Sequence, residues 1–290
     1  MQQLTQYISE ELSNHFNQHV EVKDHSQVFG GDINQSFRLQ TNIGRLFLKM
    51  NHHRYADMFA KEFAGLKLLY DTDSVRVPRP IIHGTFGGHI LLLQEFIEKG
   101  NARKNFWETF ANKLASLHRN TNDQFGSEDH NYIGSLEQRN TFCDTWPEFY
   151  RTQRIMPLIQ RAFDEKKCSK EEITRTEKLC DRFEDLFPRE RPALIHGDLW
   201  SGNYLSDQYG DPVIFDPAIY YGNREMDIAM SMLFDGFDKS FYDHYDDAFP
   251  LESNWRERIH LCQLYPLLVH LILFGGHYHS GVMNVITAYA

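Results

Sequence analysis

The feature that most constrains the fold is a change in residue pattern near residue 97. Before that point, short segments of strand-like composition alternate with turns rich in glycine and asparagine, at 21–28, 35–40, 45–50, 81–85 and 89–96. Beyond it, apolar residues recur at helical spacing, at 106–118, 146–163, 171–187, 225–234 and 259–274. We therefore predict an α+β chain of two lobes. Residues 1–97 form a small antiparallel sheet with one helix at 55–70, and residues 98–290 form a larger, mainly helical lobe.

Charge and cysteine content narrow the function classes. The 290 residues contain 30 Lys and Arg against 40 Asp and Glu, which gives a net charge of −10. A field of this sign repels phosphate backbones and anionic lipid but tolerates a cationic substrate, so neither nucleic acid nor a membrane surface is an expected partner. The four cysteines form no CxxC pair, which is typical of a reducing compartment, and the first residues lack the pattern of a signal peptide. We expect a cytoplasmic protein.

The last 32 residues, 259–290, contain no Asp, Glu, Lys or Arg. A stretch of this length is long enough to span a bilayer. It also contains four histidines, a proline and three glycines, which are unfavourable in a span. We therefore expect a buried C-terminal helix, with a membrane span as the alternative.

The strongest chemical motif is HGDLWSGN at 196–203, followed by an apolar strand that ends at Asp216. Phosphoryl transfer to a hydroxyl requires a carboxylate to orient the hydroxyl and accept its proton, and oxygen ligands to hold Mg²⁺ against the phosphates. Asp198 suits the first role, and Asn203 and Asp216 suit the second. The spacing is the H-x-D-x-x-x-x-N arrangement of kinase catalytic loops. The structural alternative is that these residues only cap turns.

Residues nearer the N-terminus are candidates for nucleotide binding. Gly30 and Gly31 lie in a turn where backbone N–H groups can approach phosphate, although an ordinary hairpin fits the same residues. Lys49 ends an apolar strand and is placed to contact the α- and β-phosphates, and Glu62 on the next helix is placed to pair with it. Taken singly, both have a surface-charge interpretation.

Three other residues have two interpretations each. Glu95 and Ile97 follow the strand 91–94 and are candidates to contact adenine through their main chain, as well as being part of a core strand. Trp200 lies inside the motif and either stacks on an acceptor sugar or packs against the lobe. We expect His196 to brace the loop without a role in proton transfer, and Asp227 to brace it by hydrogen bonding.

Several segments resemble the fructosamine-3-kinase (ketosamine-3-kinase) family. They cover nearly the whole chain, from about residue 20 to residue 280. The most specific are the tryptophan-containing loop 196–203 and the segment FDPAIYYGNREMDIA at 215–229, with further matches at 30–34, 131–134, 138–140 and 264–275. The resemblance implies a two-lobed, protein-kinase-like fold of the aminoglycoside-phosphotransferase type. The nucleotide-binding lobe is then 1–97, and the catalytic and acceptor-binding lobe is 98–290.

The resemblance also implies an activity, which is ATP- and Mg²⁺-dependent phosphorylation of the 3-hydroxyl of a ketosamine. A ketosamine is the adduct of a sugar with an amine, either a small molecule or a protein lysine. Its 3-phosphate is prone to elimination, which releases the free amine. An aminoglycoside, choline-like or other small hydroxyl compound is the alternative acceptor. A catalytically silent nucleotide-binding module is less favoured, because Asp198, Asn203, Asp216 and Lys49 are all present. The sugar and the oligomeric state stay open.

Overall fold

The computed structural model describes residues 1–29, 34–55 and 57–290. Its backbone forms two compact units: Met1–Arg103 with Leu205–Phe215, and Lys104–Tyr204 with Asp216–Ala290. In chain order, the elements are α1 (Gln2–Phe16), β1 (Val22–Val28), β2 (Gln35–Thr41), β3 (Gly44–His52), α2 (Met58–Asp71), β4 (Pro80–Phe86), β5 (His89–Glu95), α3 (Phe106–His118), β6 (Asn131–Ile133), β7 (Leu136–Gln138), α4 (Trp146–Phe149), α5 (Met156–Asp164), α6 (Lys170–Cys180), α7 (Phe183–Leu186), β8 (Ala193–Ile195), β9 (Tyr204–Ser206), β10 (Pro212–Ile214), β11 (Tyr220–Gly222), α8 (Glu225–Leu233), α9 (Lys239–Ala248), α10 (Trp255–Phe274) and α11 (His279–Tyr289). The lobe boundaries 1–97 and 98–290, and the binding role that we expect of each lobe, stay predictions.

The first unit is built on a five-stranded sheet with the order β1-β2-β3-β5-β4. Every neighbouring pair is antiparallel, and β3 joins β1 and β2 to the hairpin β4–β5 by pairing with β5, where Lys49 lies opposite Leu92. Helix α1 buries Leu4, Ile8 and Leu12 against this sheet, because residues four apart lie on one face of a helix. This unit therefore has α1 in addition to the single helix, 55–70, that we assigned to it.

The hairpin β9–β10 follows the motif loop and turns at Asp207. The Asp207 side chain accepts hydrogen bonds from the backbone N–H groups of Tyr209 and Asp211, at 2.9 and 3.0 Å, which closes the turn. The same carboxylate forms an ion pair with Arg76, whose guanidinium also contacts Glu95 at 2.8 Å. These contacts hold the hairpin within the first unit.

The second unit is mainly helical, and α10 lies at its centre. Most of the side chains of α10 are buried, and the helix packs against α5, α8 and α11. The uncharged C-terminal stretch, expected as one buried helix, forms most of the buried α10 and then a second helix, α11, which buries Val282, Val285 and Ile286. Across the described residues, no helix combines the length and apolar character needed to cross a membrane.

Candidate active site

The motif loop connects β8 to β9 and brings Asp198 and Asn203 together. The Asn203 amide nitrogen donates to the Asp198 carboxylate and to the Asp198 carbonyl, at 2.9 Å each, while Ser201–Asn203 form a single 3₁₀ turn. Asn203 is buried, so this orientation is fixed. With the nitrogen committed as a donor, the amide oxygen is the Asn203 atom that can coordinate a cation.

A close approach of two backbones places the segment that carries Asp216 beside this loop. Strand β11 pairs with β8, and the Ala218 N–H donates to the His196 carbonyl at 2.9 Å. Gly197 has φ +80°, and a Cβ built there would lie 2.1 Å from the Ala218 carbonyl oxygen. Only glycine fits both the conformation and the space, so the glycine of the motif is a packing requirement.

Asp216 completes a group of oxygen-bearing side chains. It has φ 57°, a left-handed conformation that aspartate tolerates better than most residues. Burial raises the pKa of Asp198 to about 7; the hydrogen bond from Asn203 opposes this, and the charges of Asp216 and Asp227 add to it. Three carboxylates within electrostatic range of one another favour a bound cation.

The donor set fits Mg²⁺. One carboxylate and one amide oxygen are hard ligands of the kind that magnesium takes together with phosphate oxygens. Over residues 1–29, 34–55 and 57–290, no cluster of three or more His, Cys, Asp or Glu side chains is arranged to hold a metal ion. A cation at Asn203 and Asp216 therefore needs further oxygens from a ligand or water.

Asp227, in the first turn of α8, supports the motif loop through hydrogen bonds. Its buried carboxylate accepts hydrogen bonds from the N–H groups of His196, at 2.7 Å, and Gly197, at 2.9 Å. It also accepts one from His118 Nε2 at 3.1 Å, and His118 Nδ1 lies 2.7 Å from the Tyr245 hydroxyl. Burial raises the pKa of Asp227, but the hydrogen bond and charge of His118, with those of His196, outweigh burial and hold it below its usual value. The bracing that we expected is thus present.

In the first unit, Lys49 and Glu62 form a buried ion pair. Lys49 Nζ lies 2.6 Å from Glu62 Oε1, and the two side chains are 5% and 13% exposed. Strand β3 delivers the lysine, and α2 delivers the glutamate. A buried lysine needs such a partner, because desolvation of an unpaired ammonium is costly. The structure therefore joins two residues that had separate surface interpretations in the sequence.

The remaining nucleotide candidates are only partly described. The Glu95 side chain contacts Arg76, and the Glu95 N–H donates to the Arg79 carbonyl at 2.9 Å, so this N–H is already engaged. Ile97 is half-buried just beyond β5. Gly30 and Gly31 lie outside the described residues. The adenine and phosphate contacts of these four residues stay predictions.

Trp200 is held at the surface of the loop. A Cβ built on Gly202 would lie 2.4 Å from the Trp200 ring, so the indole packs directly over this glycine. Its edge meets Phe234, with ring centroids 5.8 Å apart, and the side chain is half-buried. The packing interpretation is therefore present in the structure, and a half-buried indole leaves surface for the predicted sugar contact.

Two members of the brace, His118 and Tyr245, were not predicted from the sequence. His118 follows the buried Leu114 and Leu117 on α3, and a histidine in an apolar stripe is a signal of a buried polar contact. Tyr245 lies in the buried stripe of α9 with Phe241, where no sequence feature separates it from an ordinary core tyrosine.

Comparison with known proteins identifies one family. The family model described as Fructosamine kinase matches residues 4–290. A probable ketoamine kinase of Enterococcus faecium is 42% identical over 261 residues, covering 88% of this chain and 91% of that protein. A chloroplastic protein-ribulosamine 3-kinase of Arabidopsis thaliana is 38% identical over 270 residues, covering 90% and 81%.

Solved structures agree as well. A putative fructosamine-3-kinase from Thermobifida fusca has a TM-score of 0.86 at 32% identity, covering 97% of this chain and 98% of that one. A thermostable mutant of an aminoglycoside phosphotransferase, in a ternary complex with ADP and hygromycin B, has a TM-score of 0.64 at 14% identity and covers 98% and 99%. This second likeness shows the fold alone.

The fold is that of the kinase-like phosphotransferases. The chain belongs to the fructosamine kinase family. The expected family, the α+β kinase-like fold and the enzyme class, a phosphotransferase, are thereby confirmed.

Proposed function

We propose that this protein uses ATP and Mg²⁺ to phosphorylate the 3-hydroxyl of ketosamines. The observation that carries the proposal is the hydrogen bond from Asn203 to Asp198 on a loop braced by Asp227, with Asp216 in electrostatic range. This arrangement supports a proton acceptor beside a cation site, which is what phosphoryl transfer to an alcohol requires. Family membership and the named activities of the two relatives support ketosamines as the acceptor class.

Each residue has a defined part in the proposed reaction. Asp198 accepts the proton of the 3-hydroxyl as the bond from O3 to the γ-phosphorus forms and the bond from that phosphorus to the bridging oxygen of ADP breaks. A carboxylate with a pKa raised to about 7 is a better base than an ordinary aspartate. Asn203 and Asp216 would hold Mg²⁺, which when bound neutralises charge on the phosphates.

In the first unit, Lys49 supplies a fixed positive charge for the α- and β-phosphates. Glu62 holds the ammonium in one position through the 2.6 Å contact, so little reorganisation is needed when phosphate binds. Main-chain groups of Glu95 and Ile97 would contact adenine, and the N–H groups of Gly30 and Gly31 would contact the phosphates.

The product determines the biological role. A 3-phosphate makes the adduct prone to elimination, which returns the free amine, so the proposed outcome is deglycation of small amines or protein lysines. The charge of −10 suits an acceptor with a cationic amine and disfavours nucleic acid and membrane surfaces as partners. We also propose that the protein acts in the cytoplasm.

The activity is tested by measuring ATP consumption with a panel of acceptors. The panel contains a fructosamine, a ribulosamine and a psicosamine, each as the free adduct and on a lysine peptide, together with an aminoglycoside and choline. We expect turnover with at least one ketosamine and none with the last two. Turnover with only the aminoglycoside or choline would contradict the substrate class, and no ATP-dependent turnover at all would support a catalytically silent module.

Replacement of Lys49 tests the nucleotide role. We expect Lys49→Met to lower kcat/KM for ATP about 10²-fold, because a fixed charge on the phosphates is lost. The matched control is Lys67→Met on the same helix as Glu62, since Lys67 forms only an exposed pair with Asp71. Calorimetric ATP binding and thermal melting of both variants separate lost affinity from lost stability. Unchanged ATP kinetics in a folded Lys49→Met protein would contradict the assignment.

A further inference from the structure

Two motifs noted in the sequence, at 131–134 and 138–140, carry three side-chain amides and have no part in the reaction proposed above. Asn131 and Gln138 lie opposite each other in the hairpin β6–β7, and Asn140 follows it. We refer to Asn131, Gln138 and Asn140 as the amide cluster. Gln138 and Asn140 are buried, and Asn131 is half-buried. Buried amides need hydrogen-bond partners, and two of these partners are carbonyl groups of a distant segment.

This segment follows Asp216 directly. Gln138 Nε2 donates to the Ala218 carbonyl at 3.0 Å, and Asn131 Nδ2 donates to the Ile219 carbonyl at 2.8 Å. Ala218 and Ile219 are themselves buried, so their carbonyl groups depend on protein donors. The amide cluster therefore holds the backbone just after Asp216 from one side.

The direction of these hydrogen bonds is determined by partners further from the segment. A carbonyl only accepts, so Gln138 must present its nitrogen to Ala218 and its oxygen to the Tyr265 hydroxyl, which donates at 2.6 Å. Burial raises the pKa of Tyr265, although the charge of Arg154 opposes this, so the phenol keeps the proton that it donates. The Gln138 nitrogen also donates to Asn131 Oδ1 at 2.8 Å, which orients the second amide in turn.

Arg154 anchors the amide cluster as a fully buried cation. It donates to Asn140 Oδ1 at 2.7 Å, and Asn140 Nδ2 donates to Asn131 Oδ1 at 3.0 Å. The guanidinium carbon also lies 4.0 Å from the centre of the Tyr220 ring. Tyr220 is the first residue of β11, which continues the segment 218–219. Arg154 thus joins the amide cluster to the strand that follows the segment.

The motif loop holds the same segment from its other side. The Ala218 N–H donates to the His196 carbonyl, and only a glycine at 197 leaves room for the Ala218 carbonyl. Asp216, two residues before Ala218, has φ 57°, a left-handed conformation that costs free energy in a residue with a side chain. Such a conformation persists where the surrounding structure over-determines it. The amide cluster and the motif loop together supply this constraint.

We propose that the amide cluster positions Asp216 for Mg²⁺. By holding the two carbonyl groups that follow, Asn131 and Gln138 keep the Asp216 backbone in the one conformation that directs its carboxylate to the cation. This inference rests on the proposed function, which assigns Mg²⁺ to Asp216, and it gives the two motifs a role. Asn131 and Gln138 are positioning residues, since they act on Asp216 through the backbone of residues 218–219.

Replacement of Gln138 by Met tests this role, because methionine has nearly the length of glutamine but lacks its amide. We expect the Kd of Mg²⁺, titrated calorimetrically into the protein–ADP complex, to rise about tenfold, as is typical when a group that orients a metal ligand is lost. The Mg²⁺ concentration for half-maximal turnover should rise by the same factor. Excess Mg²⁺ should restore kcat, and the KM for the ketosamine should change little.

A second variant and a matched control separate positioning from stability. Asn131→Ala, at a half-buried position, should raise the Kd of Mg²⁺ in the same direction, and it decides the question if Gln138→Met does not fold. The control is Gln263→Met: Gln263 is also buried and its Nε2 donates to a carbonyl at 2.9 Å, but that carbonyl belongs to Ala229 on α8. It should lower stability similarly and leave the Kd of Mg²⁺ unchanged.

Two results would overturn the inference: a wild-type Kd of Mg²⁺ in the folded cluster variants, or an equal rise in Gln263→Met. A wild-type protein–ADP complex that binds no Mg²⁺ would instead overturn the metal site of the proposed function, and this inference with it.

Discussion

Replacement of Asp198 by Asn is expected to lower kcat about 10³-fold, within the range typical of lost general-base catalysis. Asparagine has nearly the same shape as aspartate, and its amide oxygen still accepts hydrogen bonds, so the contact from Asn203 can be retained. What is lost is the atom that takes the proton of the hydroxyl. We therefore expect the KM for ATP and the melting temperature to stay close to those of the wild type.

The matched control for this variant is Asp243→Asn. Asp243 is 73% exposed and has only a long contact of 3.7 Å with Arg256, so it carries a similar charge with no part in the loop. Its kinetics should be those of the wild type. Turnover that survives Asp198→Asn would contradict the role of Asp198, and with it the assignment of the whole motif.

Removal of the Asp227 side chain is expected to have the largest effect on stability. Asp227→Ala leaves the N–H groups of His196 and Gly197 and the Nε2 of His118 without their buried partner. Loss of one member of a buried charged network costs about 3–5 kcal/mol. The catalytic loop loses its support at the same time, so we expect little activity in the fraction that folds. Chemical unfolding and single-turnover kinetics measure the two effects.

If Asp227 stabilises the fold through its charge, its contribution to the free energy of unfolding depends on pH. If it acted only through packing, that contribution would not. Since the pKa of Asp227 lies below its ordinary 3.8 in the folded protein, the unfolded chain binds the proton more tightly. The stabilisation is therefore fully present above about pH 5 and is lost as the pH falls through the folded pKa. The difference in unfolding free energy between wild type and Asp227→Asn should narrow in acid. A difference that does not vary with pH would contradict a charged brace.

Much of the fold was predictable because its elements have strong local signals. The apolar spacing over 106–118 predicted α3, which spans the same residues. A small antiparallel sheet was predicted, but its strand order was not, because the pairing of β3 with β5 is a contact between distant segments.

The candidate site likewise contains residues that were predictable from the sequence and residues that were not. Asp198, Asn203 and Asp216 were found because the motif has fixed spacing, and the hydrogen bond between the first two follows from the 3₁₀ turn within it. The brace joins side chains of separate helices, His118 on α3 and Tyr245 on α9. No spacing along the chain carries such information.

The central claim is tested most directly by locating the transferred phosphate. Wild-type protein is incubated with ATP, Mg²⁺ and the best ketosamine, and the product is examined by ³¹P–¹H correlation NMR. The account predicts one new phosphate coupled to the proton on C3, followed by release of the free amine on standing. Phosphate on any other oxygen, or no phosphate on a ketosamine, would contradict it.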